Sequence, residues 1–200
     1  MTAIPGSGPS LRERTRRAVQ AEITGHALML FTEQGFDDTT VEQIATAAGI
    51  SERSFFRYFP TKEDVVIGDP RPYGLLLQSS IEACPPDVPP WDALREAFGL
   101  LITAIHADPV LSLQASALML STPALRARHL EKQILWEELL VPNIVQRLHG
   151  DPADRPLRAH AIVSAALSCL DAALNEWSRN GTRKPVENLL DAAIAAVRQT

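Results

Sequence analysis

Gly35-Phe36-Asp37-Asp38-Thr39-Thr40-Val41-Glu42-Gln43-Ile44-Ala45-Thr46-Ala47-Ala48-Gly49-Ile50-Ser51-Glu52-Arg53-Ser54-Phe55-Phe56-Arg57-Tyr58-Phe59-Pro60-Thr61-Lys62 is the stretch that decides the fold. Thr40 is placed to cap a short helix, with Gln43 three residues on to return the bond as a capping box. Val41, Ile44, Ala45 and Ala48 recur at helical spacing and form its buried stripe. Gly49 can take the left-handed conformation that ends a helix, and Ile50 anchors the turn. Ser51 caps a second helix that runs to about Tyr58. Pro60 stops it, because proline lacks an N–H and restrains the residue before it. Thr61 caps a third helix, with Asp64 in the box position.

Helix, tight turn and second helix make a helix-turn-helix, whose second helix is built to enter a major groove. On that helix Phe55 and Phe59 lie four apart and face the core. Glu52, Arg53, Ser54, Arg57 and Tyr58 remain for the other side. Arginine suits guanine edges and phosphates, and hydroxyls suit phosphates or bases. Phe56 suits a thymine methyl. Lys62 and the N–H groups of the third helix offer a phosphate site. A surface helix pair in a plain bundle is the competing reading of spacing alone.

The pattern Phe36-x-x-Thr39-Thr40-Val41-x-x-Ile44-Ala45-x-x-Ala48-Gly49-Ile50-Ser51-x-x-Ser54-Phe55-Phe56-Arg57-Tyr58-Phe59-Pro60-Thr61-Lys62-Glu63 resembles the TetR family of bacterial repressors, over residues 12–66. The resemblance implies an all-helical homodimer with a three-helix N-terminal DNA-binding domain and a C-terminal ligand and dimer domain. By position, Thr40, Gln43, Ser51, Arg53, Ser54, Phe56, Arg57, Tyr58 and Lys62 match places where the family touches DNA. The family usually carries tyrosine where this chain has Phe56, so one phosphate hydrogen bond is lost there.

Of the 200 residues, 46% are hydrophobic, enough for a packed core. A net charge of −5 is unusual for a DNA binder. What matters is the charge at the contact surface. Arg12, Arg14, Arg16 and Arg17 cluster near the start, and Arg53, Arg57 and Lys62 at the reading helix. The acids among them predict modest non-specific affinity with a strong salt dependence. Cys84 and Cys169 have no pairing or metal pattern and read as buried thiols of a cytoplasmic protein. No apolar run reaches membrane-spanning length, so no membrane is expected as a partner. Residues 1–9 form a Gly/Pro/Ser tail.

The remainder is helical. Leu11 to about Gln34 is a long helix closed by Gly35, with Ala18, Ile23, Ala27, Leu30 and Phe31 as its stripe. Gly68-Asp69-Pro70-Arg71-Pro72 breaks the chain, with Asp69 capping a new start and Pro70 in its first position; the break is a hinge or a surface kink. Residues 10–66 therefore read as the DNA-binding domain and 67–200 as a ligand-binding and dimerisation domain. Helices are expected over Trp91–Ala107, from Pro109 through Leu120, Leu125–Leu148, Pro156–Asn180 (closed by Gly181) and Pro185–Arg198. Pro142 lies inside the long one, where a missing N–H suggests a bend. No strand alternation and no repeat is present, so the fold class is all-α.

The last two helices are apolar over wide arcs and need cover on more than one side. The resemblance assigns that cover to a second subunit, which implies a homodimer and a near-palindromic operator whose half-sites lie about 34–36 Å apart or further. The five histidines lack metal spacing, and no P-loop, GxGxxG or GxSxG is present. No catalytic residue, metal or cofactor is expected, and the chain is not read as an enzyme. Phe98, Met119, Trp136 and Trp177 are candidate lining for a ligand pocket, each with core packing as the alternative. Asp108-Pro109-Val110-Leu111, Ser121 to Arg128 and Trp136-Glu137 are similar to TetR-family members with an acyl-CoA-like ligand domain. That implies a small hydrophobic or acyl effector, with Arg126 and Arg128 at a pocket mouth or on a solvated face. The expected function is a sequence-specific, ligand-released repressor; the alternative is a helical ligand-binding or interaction protein without specific DNA recognition.

Overall fold

A computed structural model describes residues 10–180 and 184–198, apart from the side chain of Glu13. Every described element is a helix. The chain forms two units, one ending at Gly68 and the other starting at Asp69. The tail over residues 1–9 and the closing Gly181 lie outside the described residues.

The first unit holds α1 (Leu11–Gln34), α2 (Val41–Ala47), α3 (Glu52–Tyr58) and α4 (Asp64–Ile67). α1 buries Ile23, Ala27, Leu28 and Phe31. Ala18, expected on that stripe, is exposed and Leu30 only half-buried. The helix phase carries Leu28 inward instead. Phe55 is fully buried and Phe59 nearly so, with ring centroids 5.8 Å apart. Val41 and Ala48 are only half-buried, while Ile44 and Ala45 are buried.

The second unit holds α5 (Pro70–Ala83), α6 (Pro90–Ala107), α7 (Pro109–Ser121), α8 (Pro123–Arg147), α9 (Arg155–Arg179) and α10 (Val186–Arg198). Proline opens five of these six within the first two positions, where its missing N–H has no partner to lose. Pro142 lies inside α8, which continues through it. α8 packs on α5 and on α9, and α10 on α9. α5 and α8 run parallel. Trp136 Nε1 donates to the Pro70 carbonyl at 2.8 Å. At the other end of the pair, Arg147 donates to the carbonyls of Cys84 at 2.7 Å and Pro85 at 2.7 Å, and also to that of Ile81, so it caps the end of α5.

α9 corrects one expectation. Its 25 residues are long and apolar enough to cross a membrane. It packs into the bundle instead, burying Ala159, Val163, Ala166, Leu167, Cys169, Leu170, Ala173 and Trp177. A core helix and a membrane span share this composition, and only the packing separates them.

Candidate nucleic-acid interface

The reading helix is held by local bonds that the sequence spells out. Thr40 Oγ1 accepts from the Gln43 N–H at 3.2 Å, and Gln43 Oε1 accepts from the Thr40 N–H at 2.8 Å. Gln34 Nε2 donates to Gln43 Oε1 at 3.1 Å, tying the box to the end of α1. α2 closes with Gly49 at φ 66. The Ile50 N–H returns to Ala45 O at 2.9 Å and that of Gly49 to Thr46 O at 3.1 Å, a Schellman turn. Ser51 Oγ then accepts from the Ser54 N–H at 3.2 Å and starts α3.

With Phe55 and Phe59 inward, Glu52, Arg53, Phe56 and Arg57 are exposed; Ser54 and Tyr58 are half-buried. Phe56 leaves 49% of its surface to solvent and packs edge-on against Phe55. Arg53 has no hydrogen bond or ion pair among the described residues, so its guanidinium is uncommitted. Arg57 lies 5.1 Å from the centre of the Tyr58 ring and donates to its hydroxyl at 3.4 Å.

Two α1 residues complete the site, and the spacing of the motif does not flag them. Arg16 donates to the Arg57 carbonyl at 3.4 Å and sits 5.8 Å from the Tyr58 ring centre. Gln20 donates to the Tyr58 carbonyl at 3.2 Å. These bonds satisfy carbonyls that the last turn of a helix leaves without partners. The basic run in α1 is the only trace of Arg16 in the sequence, and nothing there marks Gln20.

Lys62 departs from its expected role as a simple phosphate donor. Its ammonium donates to the carbonyls of Phe36 at 2.7 Å and Thr39 at 2.9 Å, over the Phe36 ring at 4.3 Å. It braces the loop before α2, and one of its three N–H bonds is left. The Thr61 and Asp64 N–H groups are likewise taken by their own reciprocal box, at 3.1 and 3.2 Å.

In the second unit, Phe98, Trp136 and Trp177 belong to the buried core, and Met119 lies half-buried on α7. Arg126 caps the Leu120 carbonyl at 3.1 Å and Arg128 pairs with Glu131 at 2.6 Å. A groove between α6 and α10 has its charges paired internally, Arg95 with Asp191 at 2.7 Å and Arg198 with Asp92 at 3.0 Å. No group of three or more metal-ligating side chains occurs among the described residues.

Comparison with known proteins agrees with this arrangement. The model of bacterial regulatory proteins of the tetR family matches residues 23–67, and that of the MftR C-terminal domain matches residues 88–200. The HTH-type transcriptional regulator TcmR of Streptomyces glaucescens is 30% identical over 86% of this chain and 78% of its own. Among solved structures, the fatty acid degradation regulator FadR of Bacillus halodurans superposes with a TM-score of 0.61 at 18% identity, covering 96% of this chain and 95% of that one. The Thermus thermophilus FadR repressor, solved with lauroyl-CoA, gives 0.54 at 22% identity over 88% and 91%. An uncommitted arginine on a well-capped second helix, and family matches that together span most of the sequence, have one reading: this chain belongs to the TetR family and is a transcriptional regulator, not an enzyme.

Proposed function

We propose that the protein is a homodimeric repressor that reads a near-palindromic operator with α3 and is released by a small hydrophobic or acyl-type ligand. TetR-family regulators bind DNA operators, dimerise and bind small-molecule effectors. The observation that carries the reading here is the outward face of α3, where Arg53, Phe56 and Arg57 are exposed while Phe55 and Phe59 fasten the helix from behind. Arg53 and Arg57 serve as base or phosphate contacts, and Phe56 as an apolar contact to a thymine methyl. Thr40, Gln43, Ser51 and Ser54 offer hydroxyl and amide groups at the helix starts, with Glu52, Tyr58 and the remaining Lys62 N–H beside them. Residues 10–66 act as the reader and 67–200 as the sensor and dimer domain. Chromosomal DNA as the target makes the cytoplasm the place of action.

The last two helices support the dimer. Ala161, Ser168 and Ala172 are exposed on the side of α9 turned from its core, as are Ala192 and Ala196 on α10. Small side chains there let a second copy approach closely, and two-fold symmetry would repeat α3 on the other half-site. The acyl class of effector is supported by the lauroyl-CoA bound to the Thermus thermophilus neighbour. Release requires the ligand to favour a state of lower DNA affinity.

Selection of bound sequences from a random DNA pool tests this directly. Enrichment of a palindrome, released by an acyl-type ligand such as laurate or lauroyl-CoA, is the expected result. Weak binding without enrichment would instead favour a helical ligand-binding protein that does not recognise specific DNA.

A further inference from the structure

α8 buries Leu125, Trp136, Leu140 and Ile144 along one stripe. Lys132, half-buried, stands on that same stripe, seven residues after Leu125 and four before Trp136. A lysine at a core-facing position normally carries a counterion. This one has no hydrogen bond or ion pair among the described residues, and its ammonium rests 4.8 Å from the centre of the Trp136 ring. The neighbouring acid, Asp171 on α9, is already engaged. Its oxygens face His129 Nε2 at 2.9 and 3.0 Å and also accept from Gln133. Burial lowers the Lys132 pKa to about 8, and Asp171 only partly opposes that shift.

A second unsatisfied atom lies on the residue three positions earlier in α8. His129 Nδ1 is buried with no partner. Because Nε2 meets a carboxylate it carries the proton, so Nδ1 is either an acceptor or, in the imidazolium, a further donor.

The neighbouring helix α7 is incompletely covered. α5 begins beside Trp136, so the earlier turns of α8 are flanked within this unit by α7 and α9. α7 is apolar on nearly every side, yet none of its residues is fully buried; Leu111, Leu113, Leu118 and Met119 are half-covered and Val110 is 67% exposed. Such a helix ordinarily has its sides covered. α6 and α7 meet at a 108° bend.

We infer that the Lys132 turn of α8 is the head-group site for an apolar carboxylic acid, the ammonium pairing with the carboxylate, His129 Nδ1 bonding a second polar atom, and the apolar body lying against α7. This rests on the ligand-responsive reading above and names the chemistry of its ligand. The acid would complete the ion pair that the fold leaves open, in a desolvated place where a charged pair is held more strongly than in water.

The test is calorimetric titration of the full chain without DNA, using decanoate, 1-decanol and decanoyl-CoA, on the wild type, Lys132→Met and Lys132→Arg. Met keeps the apolar stem and removes the charge, and Arg keeps the charge. Decanoate is expected to bind at least about tenfold more tightly than decanol to the wild type and to Lys132→Arg, and to lose that advantage in Lys132→Met. Equal affinity for acid and alcohol, an unchanged decanoate affinity in Lys132→Met, no binding of decanoate, or binding of decanoyl-CoA alone would each overturn the inference. Decanoate binding that leaves operator affinity unchanged would uphold this site while sinking the ligand-released repressor.

Discussion

On α3 the two arginines stand in different states. Arg53 makes no bond within the described protein, whereas Arg57 is stacked on Tyr58 and bonded to its hydroxyl. Removing Arg53 should therefore touch DNA binding alone. Arg53→Ala is expected to leave stability within about 0.5 kcal/mol of wild type and to weaken operator binding by about 1–3 kcal/mol if it reads a guanine. Arg57→Ala should show the same loss of affinity with some loss of stability as well. A loss that is equal on operator and random DNA, measured by competition titration, would mark either residue as a phosphate contact. Lys132 makes an opposite prediction. Its folded pKa of about 8 lies below the ordinary 10.5, so between these values the unfolded chain holds a proton that the folded chain has released. Stability then rises with pH across that window, and the penalty of the partly desolvated charge is fully present below pH 8. Lys132→Met should be more stable than wild type by ~1–3 kcal/mol at neutral pH, with the difference shrinking above pH 8. Urea melts at several pH values would read this, and a pH-independent difference would contradict it.

At the scale of elements, two glycines decide how helices meet, for different reasons. Gly49 has φ 66 and open space around it, so a side chain there is strained by the backbone and not by a neighbour. Gly49→Ala should lower stability by about 1–2 kcal/mol and misplace α3, weakening DNA binding more than stability alone explains. Gly74 is the reverse case. A Cβ there would come within 2.6 Å of Leu139 and 2.8 Å of Trp136, and Trp136 is held by its bond to Pro70. Gly74→Ala should destabilise the second unit by roughly 1–3 kcal/mol through overpacking. Thermal melts of the full-length protein followed by Trp fluorescence report on that unit alone, because all three tryptophans, at 91, 136 and 177, lie in it. An unchanged melting midpoint would show that Leu139 and Trp136 can move aside.

For the whole molecule the acidic total of −5 is set against a local cluster of arginines on α1 and α3. Binding that depends on those few cations should fall linearly in log affinity against log salt, with a slope near −0.9 per phosphate neutralised. Two subunits on a palindrome should double the slope of a single reading unit. Filter binding over a salt series, together with sedimentation of the free protein, checks both; a monomer at micromolar concentration with a shallow slope would contradict the dimeric reading. The small outward residues of α9 and α10 are the place to interfere, and Ala172→Arg should raise the dimer dissociation constant by more than tenfold if that face is shared, about 1.4 kcal/mol or more.

The capping boxes at Thr40 and Thr61, the turn at Gly49 and the break at Asp69-Pro70 were legible in the residues because they are local: donor, acceptor and φ preference lie within a few positions of each other. Helix ends, the inward Phe55 and Phe59 and the outward Arg53 arise from the same short-range periodicity. Bonds between distant segments were not legible. Arg16 on the end of α3, and Lys62 on the Phe36 and Thr39 carbonyls, join residues 41, 26 and 23 positions apart, and composition cannot choose among several equally spaced cations. Likewise a 25-residue apolar helix becomes a core helix rather than a membrane span only when its neighbours cover it. Lys132 is the sharpest instance: its place in the sequence shows a lysine on a helix, while only the tertiary structure shows that it forms no ion pair among the described residues and that Asp171, on another helix, is held by His129 and Gln133.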